Sequence, residues 1–433
     1  MNRIEYKQFK EVFYEDTCDN GLKVVVWHKP LFKSTSCLFG TPFGSFDLQQ
    51  KTDNDEYYRF KSGIAHFLEH KLFESEEGDI LSKFSELGAN VNAFTSYQET
   101  AYYFNTSDED IETPLNLLMD FVQDLSITEE SVEKEKGIIT QELMMYLQNP
   151  DSRLYFESFK SMYHTNPLKE DIGGSPESVA LITKEELEEC YNLNYHPANM
   201  TLIIVTPMDP ERIFKIVKEN QSKKTFDKFN GITRLYSKEP EYVVEEIKEI
   251  NMDISETKCS LGIKLPVIKT SDEERVKKDW ALNFSLEAYF SSMNPKYQNW
   301  LDEKKITPYF NVMEDIGREH SFILFTDNHE NPKEFKDFVL KELNRFKNTY
   351  ISEKDLKTLK NRTLGQLLRG FNNLESISVG YFRDSINGVS SFSSLNIVQN
   401  LSVDDCMNEI KDLDFSNNSL TIIKSSSNWK LIT

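Results

Sequence analysis

No run of about 18 or more apolar residues occurs in this sequence, so a transmembrane helix is not expected. The N-terminus reads MNRIEYKQFKEVFYED, with charges where a secretory signal needs an apolar stretch. It also lacks the Arg/Ser-rich, acid-poor make-up of a transit peptide, so a cytoplasmic location is the expectation, and the Lys-, Asn- and Ile-rich composition suggests a bacterium. Cysteine is scarce. Cys18, Cys37, Cys190, Cys259 and Cys406 are scattered, odd in number and form no CxxC pair. A disulfide framework and a cysteine zinc site are therefore not expected, and the thiols read as small core residues. Basic charge is also in deficit. The net charge of −21 argues against nucleic acid, whose phosphates would be repelled, and permits a basic peptide as partner. The same acidity solubilises the surface. No glycine-rich phosphate loop, no GxSxG and no Cys/His nucleophile pair is present.

What remains is ample core material: 39% apolar residues, with 30 Phe and 19 Tyr, in a chain of 433 residues. That length exceeds what one hydrophobic core usually organises. Segments 21–30 and 34–46 read as strands, 62–74 as a helix with Ser62 as its N-cap, and 79–88 as a helix stopped by Gly88. The β-branched and aromatic run 90–107 reads as strands, 108–125 and 128–148 as helices, 183–195 as a helix and 199–205 as a buried strand. A polar, turn-rich stretch follows, and the second half repeats the flavour of the first: strands at 252–267, 321–328 and 418–425, helices at 272–292, 333–347 and 353–370. The expected architecture is α+β, two similar domains, each a mixed sheet flanked by helices, together half of a clam-like chamber. Domain bounds of 1–222 and 245–433 with a linker at 223–244 follow from this reading.

Residues 66–70 read His-Phe-Leu-Glu-His within a helical pattern. On a helix, positions i and i+4 share a face, so His66 and His70 can reach one metal ion. Glu69 sits beside that face, where it can take a proton from an activated water. The pattern H-x-x-E-H is the inverted form of a well-known zinc motif. Zinc needs a third protein ligand, and the 128–148 helix offers Glu135 and Glu142, two turns apart on one face. Spacing alone does not choose between them. The other five histidines, His28, His164, His196, His320 and His329, have no partner at ligand spacing.

The text IAHFLEHKLFE, then LGANVNAFTSYQETAYYF, then EKEKGIITQELMMY resembles the pitrilysin/insulinase family of zinc peptidases, which includes the mitochondrial processing peptidases. GGSPESVALITKEELEECY and YHPANMTLIIV extend the resemblance to about residue 215; beyond 245 it rests on architecture. The resemblance implies one zinc ion per chain on His66, His70 and Glu142, Glu69 as general base, and Glu135 holding a ligand histidine from behind. It also implies that Asn92, Ala93, Phe94 and Thr95 form the edge strand on which an extended peptide lies. Active members carry an Arg and a Tyr seven residues apart in the second half. Here NWLDEKKITPYFNV supplies Tyr309, but Asp302 stands at the Arg position. Some family enzymes divide labour between a zinc-bearing subunit and an Arg/Tyr-bearing one. The expected function is therefore a zinc endopeptidase of basic or leader-type peptides, the catalytic subunit of a heterodimer with a homologous partner, or else a homodimer, with neither nucleic acid nor membrane as partner. The alternative is a non-catalytic scaffold or peptide-binding subunit on the same fold.

Overall fold

The computed structural model describes residues 1–74, 79–107 and 110–425. The start of the helix expected at 108–125 therefore lies partly outside the described residues; the described helix is Glu112–Val122. The chain divides into two compact units, the first made of 1–143, 171–235 and 369–387, the second of 144–170, 236–368 and 388–433.

In the first unit the strands are β1 (Asn2–Tyr6), β2 (Glu11–Thr17), β3 (Lys23–His28), β4 (Thr35–Thr41), β5 (Gln49–Thr52), β6 (Tyr57–Arg59), β7 (Ala89–Thr95), β8 (Thr100–Thr106), β9 (Thr201–Thr206) and β10 (Ile232–Arg234). Seven of them form one sheet in the order β1-β2-β3-β9-β4-β8-β7, and β10-β5-β6 form a small second sheet. The buried run Val24–Trp27 and the fully buried strand β4 mark the centre, as near-continuous apolar strands do when both faces are covered. The N-terminal segment pairs as the β1–β2 hairpin, with β2 on the edge of β3.

The second unit holds β11 (Ile247–Met252), β12 (Lys258–Lys264), β13 (Asn311–Ile316), β14 (Ser321–Asn328) and β15 (Asn418–Ser425), in the order β11-β15-β12-β14-β13. The repeat of element order is a repeat of topology. β3 pairs parallel with β9, and β9, β4, β8 and β7 continue antiparallel. β11 pairs parallel with β15, and β15, β12, β14 and β13 continue antiparallel. β7 and β13 are thus equivalent edge strands.

Each of the two large sheets is also covered by a helix from the other half of the sequence. Helix Leu374–Asn387 packs on β4 and β9, and helix Pro150–Met162 packs on β12 and β15. Both seat against a strand glycine: a Cβ at Gly40 would lie 2.4 Å from the Phe382 ring, and one at Gly262 would lie 2.4 Å from Met162 Sδ. The sequence expectation is a single linker, at 223–244. In the structure the chain passes between the units at 143–144, 170–171, 235–236, 368–369 and 387–388. The 223–244 segment is itself anchored: β10 pairs with β5, and Glu239 accepts the backbone N–H groups of His164, Thr165 and Asn166. All five cysteines are buried. Among the described residues no helix is long and apolar enough to cross a membrane.

Candidate active site

Helix Ile64–Leu72 buries Ile64, Ala65, Phe67, Leu68, Lys71 and Leu72, an i, i+3/i+4, i+7 stripe against the sheet. Its N-cap differs from the sequence expectation. Gly63, not Ser62, caps it, at φ 91 and with no side-chain hydrogen bond. The reason is space: a Cβ at Gly63 would stand 2.3 Å from the Gly173 carbonyl oxygen, so the helix enters on a left-handed glycine under the 173–174 turn. The core stripe turned inward leaves His66, Glu69 and His70 at its rim, each half-buried.

The second contributor is helix Glu129–Gln148, whose buried residues Val132, Glu135, Ile139 and Leu143 form one face. Glu142 sits beside that face. Its Oε2 is 3.6 Å from His70 Nε2 and 3.9 Å from His66 Nε2. Among the described residues His66, His70 and Glu142 are the one group of three able to hold a metal ion, with one donor atom of each within 4.8 Å of the others. Tetrahedral zinc with bonds of about 2.0–2.2 Å spaces its donors roughly 3.4 Å apart, close to these separations. Two imidazoles and a carboxylate also suit zinc chemically. Glu135, two turns earlier, lies behind the cluster instead, with Oε1 3.0 Å from His70 Nδ1. An Nδ1–H donated to that carboxylate leaves Nε2 with its lone pair toward Glu142.

The electrostatics are uneven. Burial, then the neighbouring His70, drives the His66 imidazole down to about 4, which keeps it neutral. Burial disfavours charge on His70 too, but the hydrogen bond to Glu135 and the charges of Glu69, Glu135 and Glu142 outweigh it and raise its pKa. The same bond lowers Glu135 below the usual carboxylate range. Burial raises Glu69, a direction that suits a proton acceptor. Thr95 Oγ1 donates to Glu69 Oε2 at 2.8 Å, linking the glutamate to strand β7.

β7 ends its sheet and pairs with β8 alone. Asn92 is exposed, and Ala93, Phe94 and Thr95 are half-buried along that edge. Tyr309 belongs to the second unit, exposed and two residues ahead of β13. Asp302 ends helix Tyr297–Asp302 and accepts from Gln298 Nε2 at 2.9 Å. The remaining histidines make their own local contacts, such as His196 stacked on Phe229 and His320 bonded to Asp315. Two features went unnoticed in the sequence. Thr95 bonds Glu69 directly, which no spacing rule foretells. Lys71 is wholly buried beside the site; its place on the apolar stripe of the helix was the available signal.

The family profile Insulinase (Peptidase family M16) matches residues 55–175, and the profile Peptidase M16 inactive domain matches 181–363. The chain is 37% identical over 424 residues to the uncharacterized zinc protease YmfH of Bacillus subtilis (strain 168), covering 97% of this chain and 98% of that one. Its fold matches the crystal structure of an M16-like peptidase from Alicyclobacillus acidocaldarius, with a TM-score of 0.89 at 30% identity over 98% of this chain and 100% of that one. A protease from Helicobacter pylori shares the fold, with a TM-score of 0.80 at 19% identity over 95% and 99% of the two chains. With the inverted histidine motif, the duplicated sheets and these likenesses in hand, the chain belongs to the M16, or insulinase, family of zinc proteases.

Proposed function

We propose that this chain is a zinc-dependent endopeptidase in which His66, His70 and Glu142 hold one zinc ion and Glu69 is the general base. The observation that carries this reading is the convergence of those three donors next to Glu69, which is itself tied through Thr95 to a free sheet edge. A bound zinc ion would supply Lewis acidity, polarising the scissile carbonyl and lowering the pKa of water. Glu69, its own pKa raised by burial, takes the proton from the attacking water and returns it to the leaving amine. Glu135 fixes the tautomer and orientation of His70.

The substrate is an extended peptide added to the free edge of β7 along Asn92–Thr95. The strand grips it through backbone hydrogen bonds, which give affinity with loose side-chain specificity. The net charge of −21 favours a basic, leader-type peptide. Tyr309 matches the Tyr of the Arg/Tyr pair that helps bind substrate in active relatives. Asp302, standing where active relatives carry Arg, favours a homologous partner that supplies the Arg/Tyr pair.

The test is chelator-stripped protein titrated with zinc while cleavage of a basic peptide is followed, alone and with any similar-sized protein that copurifies from the native cells. One zinc per chain and zinc-restored cleavage are expected. A chain that binds no zinc and cuts nothing, in either state, overturns the reading.

A further inference from the structure

Lys71 directly follows the second histidine of the motif, and its side chain is 0% exposed. An ammonium group is expensive to bury, and an apolar side chain would complete the core stripe of helix Ile64–Leu72 without that penalty. Its partners explain the choice. Lys71 Nζ donates to the Ser131 carbonyl oxygen at 3.2 Å, forms an ion pair with the Glu74 carboxylate, and stands 4.0 Å from Glu135 Oε2. Ser131 and Glu135 are one turn apart on helix Glu129–Gln148, the helix that carries Glu142. The other oxygen of Glu135, Oε1, is the one 3.0 Å from His70 Nδ1. The connection therefore starts on one helix, crosses to the second and returns to the neighbouring residue of the first.

The geometry points to Lys71 as a positioning residue of the metal centre, which rests on the zinc reading above. It faces one carboxylate oxygen of Glu135 so that the other meets the His70 ring, and it ties helix Ile64–Leu72 to helix Glu129–Gln148 at the level of the ligands. His66 and His70 come from one of these helices and Glu142 from the other, so the width of the donor triangle depends on their spacing. Lys71 touches neither substrate nor metal; it acts through Glu135 and through the helix pair. A lysine merely satisfied in the core would stabilise the unit without regard to zinc, and the two roles separate experimentally.

The experiment measures zinc affinity, by competition with a chromogenic chelator, for wild type, Lys71→Met, Lys71→Gln, Glu135→Ala and the double variant Lys71→Met/Glu135→Ala. The thermal midpoint of each metal-free protein is recorded alongside. Loss of an outer partner of a metal ligand weakens binding about 10- to 100-fold. Lys71→Met and Lys71→Gln are expected to raise the zinc dissociation constant about tenfold or more, beyond any effect on metal-free stability. The double variant is expected to lose less than the sum of the two single losses, because part of the lysine's effect runs through that glutamate. Wild-type affinity in the lysine variants, or fully additive losses in the double variant, would overturn the proposal. So would failure of both lysine variants to fold while Glu135→Ala folds, since Lys71 would then be a core residue first. Absence of zinc binding in wild type would instead sink the metal assignment itself, a separate result.

Discussion

In the first unit the helix beside edge strand β7 carries His66, Glu69 and His70, with Glu135 and Lys71 of opposite charge behind them. In the second unit the helix against the equivalent edge strand β13, Asp272–Phe290, carries Asp279 and Asn283 facing that strand. Asp279 accepts the Ile316 N–H at 3.0 Å, and Glu314 of β13 accepts from Asn283 Nδ2 at 2.6 Å. Burial, reinforced by Asp315, raises Asp279 to about 7. Burial, reinforced by Asp279 and Asp315 against the Asn283 bond, raises Glu314 to about 7. One topology thus supports two kinds of polar chemistry. Imidazoles backed by a carboxylate leave lone pairs free for a metal. Carboxyls crowded by like charge are driven toward their neutral form and bond backbone and amide groups instead. The duplicated strand order fixes where a polar cluster can sit, and the side chains decide whether it is a metal centre.

The comparison breaks most visibly if the metal follows the wrong unit. His66→Ala or Glu142→Gln should abolish stoichiometric zinc by elemental analysis, whereas Asp279→Asn with Glu314→Gln should leave one zinc per chain. Zinc retained in the first pair of variants would remove the distinction between the units.

The next effect is in packing. Gly40→Ala and Gly262→Ala each force a methyl group against a covering helix, and each should destabilise its own unit by about 1–3 kcal/mol in denaturant unfolding. The loss should be larger at Gly40, where the buried Phe382 ring blocks the methyl group, than at Gly262, where the flexible Met162 side chain can give way. A neutral result at Gly40 would show that the Leu374–Asn387 helix does not seat as closely as it stands.

A smaller effect separates the units by pH. A carboxyl whose folded pKa is raised contributes stability that is complete below its unfolded value, near 4, and is lost as pH rises through about 7. The second unit should therefore unfold more readily at pH 8 than at pH 5.5, and Asp279→Asn with Glu314→Gln should flatten that slope. Arg275 and His320 lower Asp279, and both side chains keep some exposure, so the slope is shallower than two fully buried acids would give. An unchanged slope in the double variant would refute the assignment.

The smallest expected change is at Thr95→Val, which removes one hydrogen bond to Glu69, worth about 0.5–1.5 kcal/mol. Turnover should fall about 2- to 10-fold with zinc content intact. A loss as deep as removal of Glu69 would mean that Thr95 does more than orient it.

Much of this comparison was written locally in the chain. The histidine pair and Glu69 fall within five residues of one helix, so spacing alone brings them together. Strands 321–328 and 418–425 and helix 353–370 were legible because they are apolar at the right period and bounded by turns. The choice between Glu135 and Glu142 was not legible from spacing. Both lie on one helical face, and only the approach of the other helix sets one at Nε2 and the other at Nδ1. Helices Pro150–Met162 and Leu374–Asn387 escaped for a different reason: nothing in their own sequence tells which sheet they cover. Gly63 took the cap expected of Ser62 because a turn more than a hundred residues away leaves no room for a Cβ.

The most direct test of the central claim is the Glu69→Gln variant, compared with wild type for bound zinc and for single-turnover cleavage of a basic peptide. The account expects one zinc per chain in both proteins and a rate lowered about 10²- to 10⁴-fold in the variant. Cleavage at the wild-type rate by zinc-loaded Glu69→Gln would contradict it.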